Sequence, residues 1–342
     1  MYQKSNVRRA SGSKTYRMPN PPATGVATIP AIDLAGFRSG DRGALERVAR
    51  EAGSAARGIG FFTLVNHGIP VALIDAAFAE ARTFFALAAS EKMRISVAYS
   101  KAYRGYVRIG EETLDPTKAP DFKESFNAGP DLGPDDPDVL AGKPFAAVNQ
   151  WPASASFKAT LKAYYAACSA LVVDLHRAFA IDLAIDENYF DARFARAVGI
   201  LRLLRYPPHP GTFDGSTYGA GAHSDYGNLT LLAQDETEGL EVRARDGTWI
   251  SVPPSPGAFV CNIGDCLMRW SNDVYVSTPH RVVNRAPRER FSVAFFGDPS
   301  ADAVVACLPS CLAEGDVPKY PPITYGEYLR SRYDATYTVA PA

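Results

Sequence analysis

Apolar positions in this chain repeat with two different periods, and the change from one to the other falls near residue 198. Residues 154–180, SASFKATLKAYYAACSALVVDLHRAFA, place apolar side chains three and four apart, the period of a helix, and Ser154 stands where an N-cap is wanted. DRGALERVAREAGSAARG repeats that spacing through Leu45, Val48 and Ala52. Between and before these stretches, TIPAIDLAGF and GFFTLVNHGIP read as short strands, the second ending in a turn with Pro70 leading the next helix. Beyond residue 198 short β-like runs follow one another: GILRLLRYP, NLTLLAQD, LEVRA, TWISV, AFVCNI, STPHRVVN and RFSVAFFG, separated by Gly, Pro and Asn-Asp turns. Many short strands at this spacing predict an antiparallel sandwich or barrel with helices packed outside it.

Residues 92–153 show neither period. Their Gly, Pro and Asp content predicts irregular, lid-like loops, above all from Tyr103 to Pro137. The expected organisation is therefore a flexible tail over 1–27, an amino-terminal α/β region with lid-like loops over 28–153, and a bracing helix, β core and C-terminal helix over 154–342. The tail carries Lys4, Arg8, Arg9, Lys14 and Arg17 without an acidic residue, a transit-peptide-like composition lacking a clear apolar face, and is read as disordered.

Composition narrows the function. With 46% hydrophobic and 21% charged residues the chain has the means to bury a sizeable core, and its formal net charge of −1 offers no general attraction for nucleic acid or an anionic membrane. No apolar run approaches the roughly 20 residues of a membrane span, and no secretory signal is visible. Five scattered cysteines, an odd number, read as reduced and mostly buried thiols. A cytoplasmic protein, monomeric or weakly dimeric and acting on a small molecule, is the expectation.

Candidate chemistry lies in AGAHSDYGNLTLL. In an extended segment side chains two apart share a face, so His223 and Asp225 point at one place while Ser224 looks away. Two histidines and one carboxylate on a single face are a common set for non-haem iron. His280 in STPHRVVN is the best third member: His209 is boxed between prolines, His176 sits in the long helix and His67 lies far upstream. Ordinary loop and core histidines would account for the same letters. In RERFSVAFF, Arg290 and Ser292 share a strand face and suit a carboxylate, although a surface ion pair would also explain the arginine. Arg202, Leu204 and Tyr206 likewise share a face of LRLLRYP, which, if turned inward, brings Arg202 to a polar ligand.

Taken in this order, these elements resemble the isopenicillin N synthase-like family of iron- and 2-oxoglutarate-dependent oxygenases. The resemblance spans about residues 27 to 335 and rests on GFFTLVNHGI, LRYPP, GAHSDYGNLTLLAQD, NIGDCLMRWSND, STPHRVVNR and the Arg-x-Ser pair. DFKESFNAG and RWSND are similar to fungal thymine 7-hydroxylases; GYVRIGEE and RERFSVAFF are similar to the bacterial ethylene-forming enzyme. The family implies a double-stranded β-helix, or jelly-roll, core with supporting helices. It implies Fe(II) at His223, Asp225 and His280, with 2-oxoglutarate gripped by Arg290 and Ser292 near Tyr206 and Arg202. Dioxygen is then consumed, 2-oxoglutarate is decarboxylated to succinate and carbon dioxide, and a substrate is oxidised, by default hydroxylated. Tyr226, Phe296 and Leu204 are the implied substrate contacts, with Phe296 equally readable as core, and Glu112 and Thr113 are lid candidates. Two other readings stay open: an iron oxidase whose Arg-x-Ser pair grips the substrate instead, and a barrel with a decayed metal site. A pyrimidine-like ring, an amino acid or a secondary metabolite would each suit an aromatic pocket with an arginine.

Overall fold

The computed structural model describes residues 29–208, 215 and 217–336; the predicted tail and His209 lie outside them. In chain order the elements are β1 (Ala31–Asp33), α1 (Arg42–Gly58), β2 (Phe61–Val65), α2 (Val71–Phe85), α3 (Ala89–Met93), β3 (Gly105–Val107), β4 (Glu124–Ala128), α4 (Pro137–Leu140), α5 (Ala155–Asp182) and β5 (Ile200–Tyr206). They continue with β6 (Ala220–His223), β7 (Leu229–Gln234), β8 (Leu240–Arg243), β9 (Trp249–Ser251), β10 (Phe259–Ile263), α6 (Asp265–Trp270), β11 (His280–Val282), β12 (Arg290–Gly297), β13 (Val304–Val305), β14 (Ile323–Thr324) and α7 (Tyr325–Thr336).

Two sheets face each other as a jelly roll: an eight-stranded one ordered β1-β2-β10-β7-β12-β5-β4-β3 and a four-stranded one ordered β6-β11-β8-β9. Every pairing in them is antiparallel except β1 with β2. Side-chain alternation sorts the residues of the large sheet. Leu201, Leu203, Val293 and Phe295 face the helices, while Leu204, Tyr206 and Ala294 meet Ala220, Leu240, Val242 and Val282 of the small sheet in a separate inner core.

The helices brace the outer face as their period requires. Ser154 Oγ accepts the Phe157 N–H at 3.2 Å and so caps α5, whose Leu161, Tyr164, Cys168, Leu171, Val172 and Leu175 are buried at helical steps. Asp41 caps α1 in the same way. Pro70 is the residue preceding α2. Cys168, Cys261 and Cys266 are buried and Cys307 and Cys311 half-buried, all as free thiols. Among the described residues no helix is long and apolar enough to cross a membrane.

One expectation needs correcting. The segment Tyr103–Pro137 is not too loop-rich to belong to the barrel, because β3 pairs with β4 and β4 with β5, extending the large sheet. The short strands escape the eye because Pro and Gly crowd the connection between them, whereas KESFNA itself alternates. Lys123, Ser125 and Asn127 take one face; Phe126 packs among the core aromatics on the other.

Candidate metal and cosubstrate site

β6 and β11 are neighbours, and their register sets His280 directly opposite His223. That pairing closes the gap of more than fifty positions between the two histidines. Asp225 follows the end of β6, where one carboxylate oxygen, Oδ2, accepts Thr230 Oγ1–H at 2.6 Å and Asn262 Nδ2–H at 2.8 Å. The other, Oδ1, is left facing His223 Nε2 at 3.8 Å and His280 Nε2 at 3.6 Å. Each imidazole is oriented from behind: His223 Nδ1 meets Gly221 O at 2.7 Å and His280 Nδ1 meets Thr278 O at 3.2 Å. A carbonyl only accepts, so both Nδ1 atoms carry the proton and both Nε2 lone pairs point at Asp225. Burial and the neighbouring His280 hold the His223 pKa well below its ordinary value, so its ring is neutral and free to ligate. Ligand atoms of all three side chains lie within 4.8 Å of one another, a donor set for one metal ion with an open side.

That open side leads into a cavity between the sheets, walled by Tyr206, Leu204, Arg290, Ser292, Lys123 and Asn262 around the triad. Arg290 is fully buried; its Nη2 donates to Gln234 Oε1 at 2.9 Å, and its Nε and Nη1 have no partner. The guanidinium lies over the Tyr206 ring at 4.9 Å, and Gly239 lets it pass: a Cβ there would sit 3.1 Å from Arg290 Cδ. Two unpaired donors in a buried cation, with a hydroxyl from Ser292 beside them, fit an incoming carboxylate.

Residues 29–154 match the family described as non-haem dioxygenase in morphine synthesis N-terminal, and residues 197–299 match the 2OG-Fe(II) oxygenase superfamily. A 2-oxoglutarate-Fe(II) type oxidoreductase of Emericella nidulans is 37% identical over 92% of this chain and 91% of its own length. The chain is a 2-oxoglutarate- and iron(II)-dependent dioxygenase. A homoarginine-6-hydroxylase of Arabidopsis thaliana is 35% identical over 93% of the oxygenase and 100% of its own length. Among solved structures, thymine 7-hydroxylase of Neurospora crassa with 2-oxoglutarate and thymine superposes with a TM-score of 0.81 at 33% identity, covering 90% of this chain and 96% of that one. The fungal half of the expected likeness is thereby met.

A second cavity opens from the triad of the oxygenase toward solvent, lined by Arg202, Tyr226, Phe296, Leu114, Ile200, Leu329, Tyr333 and Asp298. α7 forms one wall and is pinned there by Arg332, whose Nη2 meets Asp265 Oδ2 at 3.0 Å and whose guanidinium covers the Tyr226 ring at 4.6 Å. Tyr226, Phe296 and Arg202 all line this cavity. Leu204 lines only the inner cavity, because its strand runs away from the mouth.

Glu112 is no lid tip: it is buried, holds Arg202 at 3.0 and 3.3 Å, and meets Lys123 Nζ at 3.2 Å. Thr113, half-buried, borders neither cavity; Leu114 lines both. Lys123 is a site residue that sequence reasoning missed. Burial pushes its pKa down, but Glu112 and Asp121 more than reverse this, so it remains an ammonium on the cavity wall. A polar residue at the inward phase of KESFNA was the available signal. Nothing local announced Thr230, Asn262 or Asp298, which matter through strand pairing.

Proposed function

We propose that His223, Asp225 and His280 hold the Fe(II), that Arg290 and Ser292 bind the distal carboxylate of 2-oxoglutarate beside Tyr206, and that the oxygenase hydroxylates a small molecule in the outer cavity. The observation that carries this reading is Arg290 with its two unpaired donors, buried in the same cavity as the convergent triad. Iron, when bound, activates dioxygen and couples decarboxylation of 2-oxoglutarate, to succinate and carbon dioxide, with oxidation of the substrate.

The chain's own residues do the positioning. Thr230 and Asn262 hold one oxygen of Asp225 so that the other stays available, and the Gly221 and Thr278 carbonyls fix the histidine tautomers. Arg290 sets the reach of the cosubstrate from the metal. Tyr226, Phe296, Leu329 and Tyr333 exclude water from the substrate side, and Arg202, clamped by Glu112 and Asn127 at its Nε (2.8 Å), offers a fixed polar edge between the two cavities. The net charge of −1 offers no general attraction for nucleic acid or an anionic membrane, and the reading is completed by a cytoplasmic enzyme acting as a monomer or weak dimer.

Succinate formation tests the function. With iron(II), 2-oxoglutarate and air, a true substrate stimulates succinate release in one-to-one proportion to its own oxidation. Thymine and homoarginine, named in the relatives, head the compounds to screen. A substrate oxidised with no succinate released would instead establish the oxidase chemistry.

A further inference from the structure

The inner face of β12 advances in two-residue steps from Arg290 through Ser292, Ala294 and Phe296, and the next step is Asp298 just beyond the strand. Arg290, Ser292 and Ala294 line the inner cavity, Phe296 lines both, and Asp298 lines only the outer one. Asp298 therefore stands at the end of the substrate cavity away from the cosubstrate. Its exposure is 4%, and none of the ion pairs among the described residues includes it.

Other charges on that wall are already answered. Arg202 is held by Glu112, and Asp225 belongs to the metal set. Arg104, also fully buried, acts on Asp298 only from beyond ion-pair distance and does not line the cavity. The Asp298 carboxylate also has structural duties: Oδ1 accepts the Asn228 N–H at 3.3 Å and packs against Gly227, where a Cβ would come within 2.0 Å, and the buried Tyr325 hydroxyl stands beside the group. Burial raises the Asp298 pKa to about 6, with the Tyr325 hydroxyl and the Asn228 amide restraining the rise, and a cation brought against it would favour the ionised form. A buried carboxylate without a contacting cation is costly, and a cation delivered by a ligand removes that cost. The rest of the lining, Leu114, Ile200, Tyr226, Phe296, Leu329 and Tyr333, suits an apolar or flat body.

We propose that Asp298 is a specificity-determining residue of this oxygenase, receiving a protonated nitrogen (an amine, amidine or guanidine) at the end of the substrate farthest from the cosubstrate. The inference rests on the outer cavity being the substrate site, as argued above.

Benzamidine and benzamide, equal in shape and differing in charge, test it. Their binding is measured by calorimetry to the anaerobic protein carrying iron(II) and 2-oxoglutarate, after the visible absorption of that complex has been confirmed. Benzamidine is expected to bind at least about tenfold more tightly than benzamide, the margin of a charge-assisted hydrogen bond, and Asp298→Asn to abolish the preference. Equal binding, no binding of either compound, or a preference that survives Asp298→Asn overturns the proposal. A crystal structure of the wild-type benzamidine complex decides if the variant misfolds: an amidinium away from Asp298 rejects the assignment. Absence of the visible absorption would instead count against the iron and 2-oxoglutarate reading, so the two failures are told apart.

Discussion

A fully buried guanidinium with unpaired Nε and Nη1 hydrogens is unfavourable until an acceptor arrives, which ties Arg290 to its ligand more firmly than its position in the sequence does. Arg290→Ala removes a charge-assisted pair worth about 1.5–3 kcal/mol, so 2-oxoglutarate affinity should fall by tens-fold, read from succinate formation against cosubstrate concentration. An unchanged cosubstrate affinity with a collapse in substrate affinity would put Arg290 on the substrate. At this scale the sequence was legible wherever a two-residue period carried both partners, as in His223 with Asp225 and Arg290 with Ser292. Lys123, Asn262 and Thr230 were not, because each reaches the site through strands paired across long stretches of chain.

Among the elements, β3 and β4 change the meaning of the loop between them. Glu124 on β4 accepts from Lys92 Nζ at 2.7 Å and from Tyr106 Oη at 2.6 Å, and it pairs with Arg205 on β5. Burial pushes the Glu124 pKa up, but these three partners outweigh it and hold the carboxyl below its ordinary value of 4.5. Its stabilising contribution is thus complete above that value and is lost as pH falls through the lowered folded-state value. Glu124→Gln leaves Lys92 buried without its counter-charge and should cost about 3–5 kcal/mol near neutral pH. Melting temperatures of the two proteins should converge on acidification, and a gap that stays constant down to pH 3 would contradict this account.

Hydrogen exchange separates wall from lid in the same segment. Residues 116–120 are exposed, while Asp121, Lys123 and β4 are buried. Protection gained on adding a true substrate should therefore be confined to about residues 108–120, with β3 and β4 slow beforehand. Slowing across all of residues 103–137, β3 and β4 included, would contradict this division. Irregular composition concealed this division, since two strands of three and five residues carry little periodic signal between prolines.

At the scale of the whole molecule, the jelly roll sets the two cavities end to end, with the metal donors where they meet and the same two strands, β5 and β12, running along both. The strand runs beyond residue 198 and the α5 pattern made that architecture legible, but the pairing order that joins β1 and β2 to β10 lies in no local pattern. Nor did the sequence show that α7 closes the substrate side, because Leu329 and Tyr333 acquire that role only by sharing a cavity with Phe296 and Tyr226, far from them in the chain. The central claim is that His223, Asp225 and His280 hold one iron to which 2-oxoglutarate is brought by Arg290. It is tested most directly by anaerobic titration with iron(II) and 2-oxoglutarate, followed by visible absorption. The account predicts a charge-transfer band saturating at one iron per chain, absent in Asp225→Ala and in His280→Ala. Full retention of the band in both variants would contradict it.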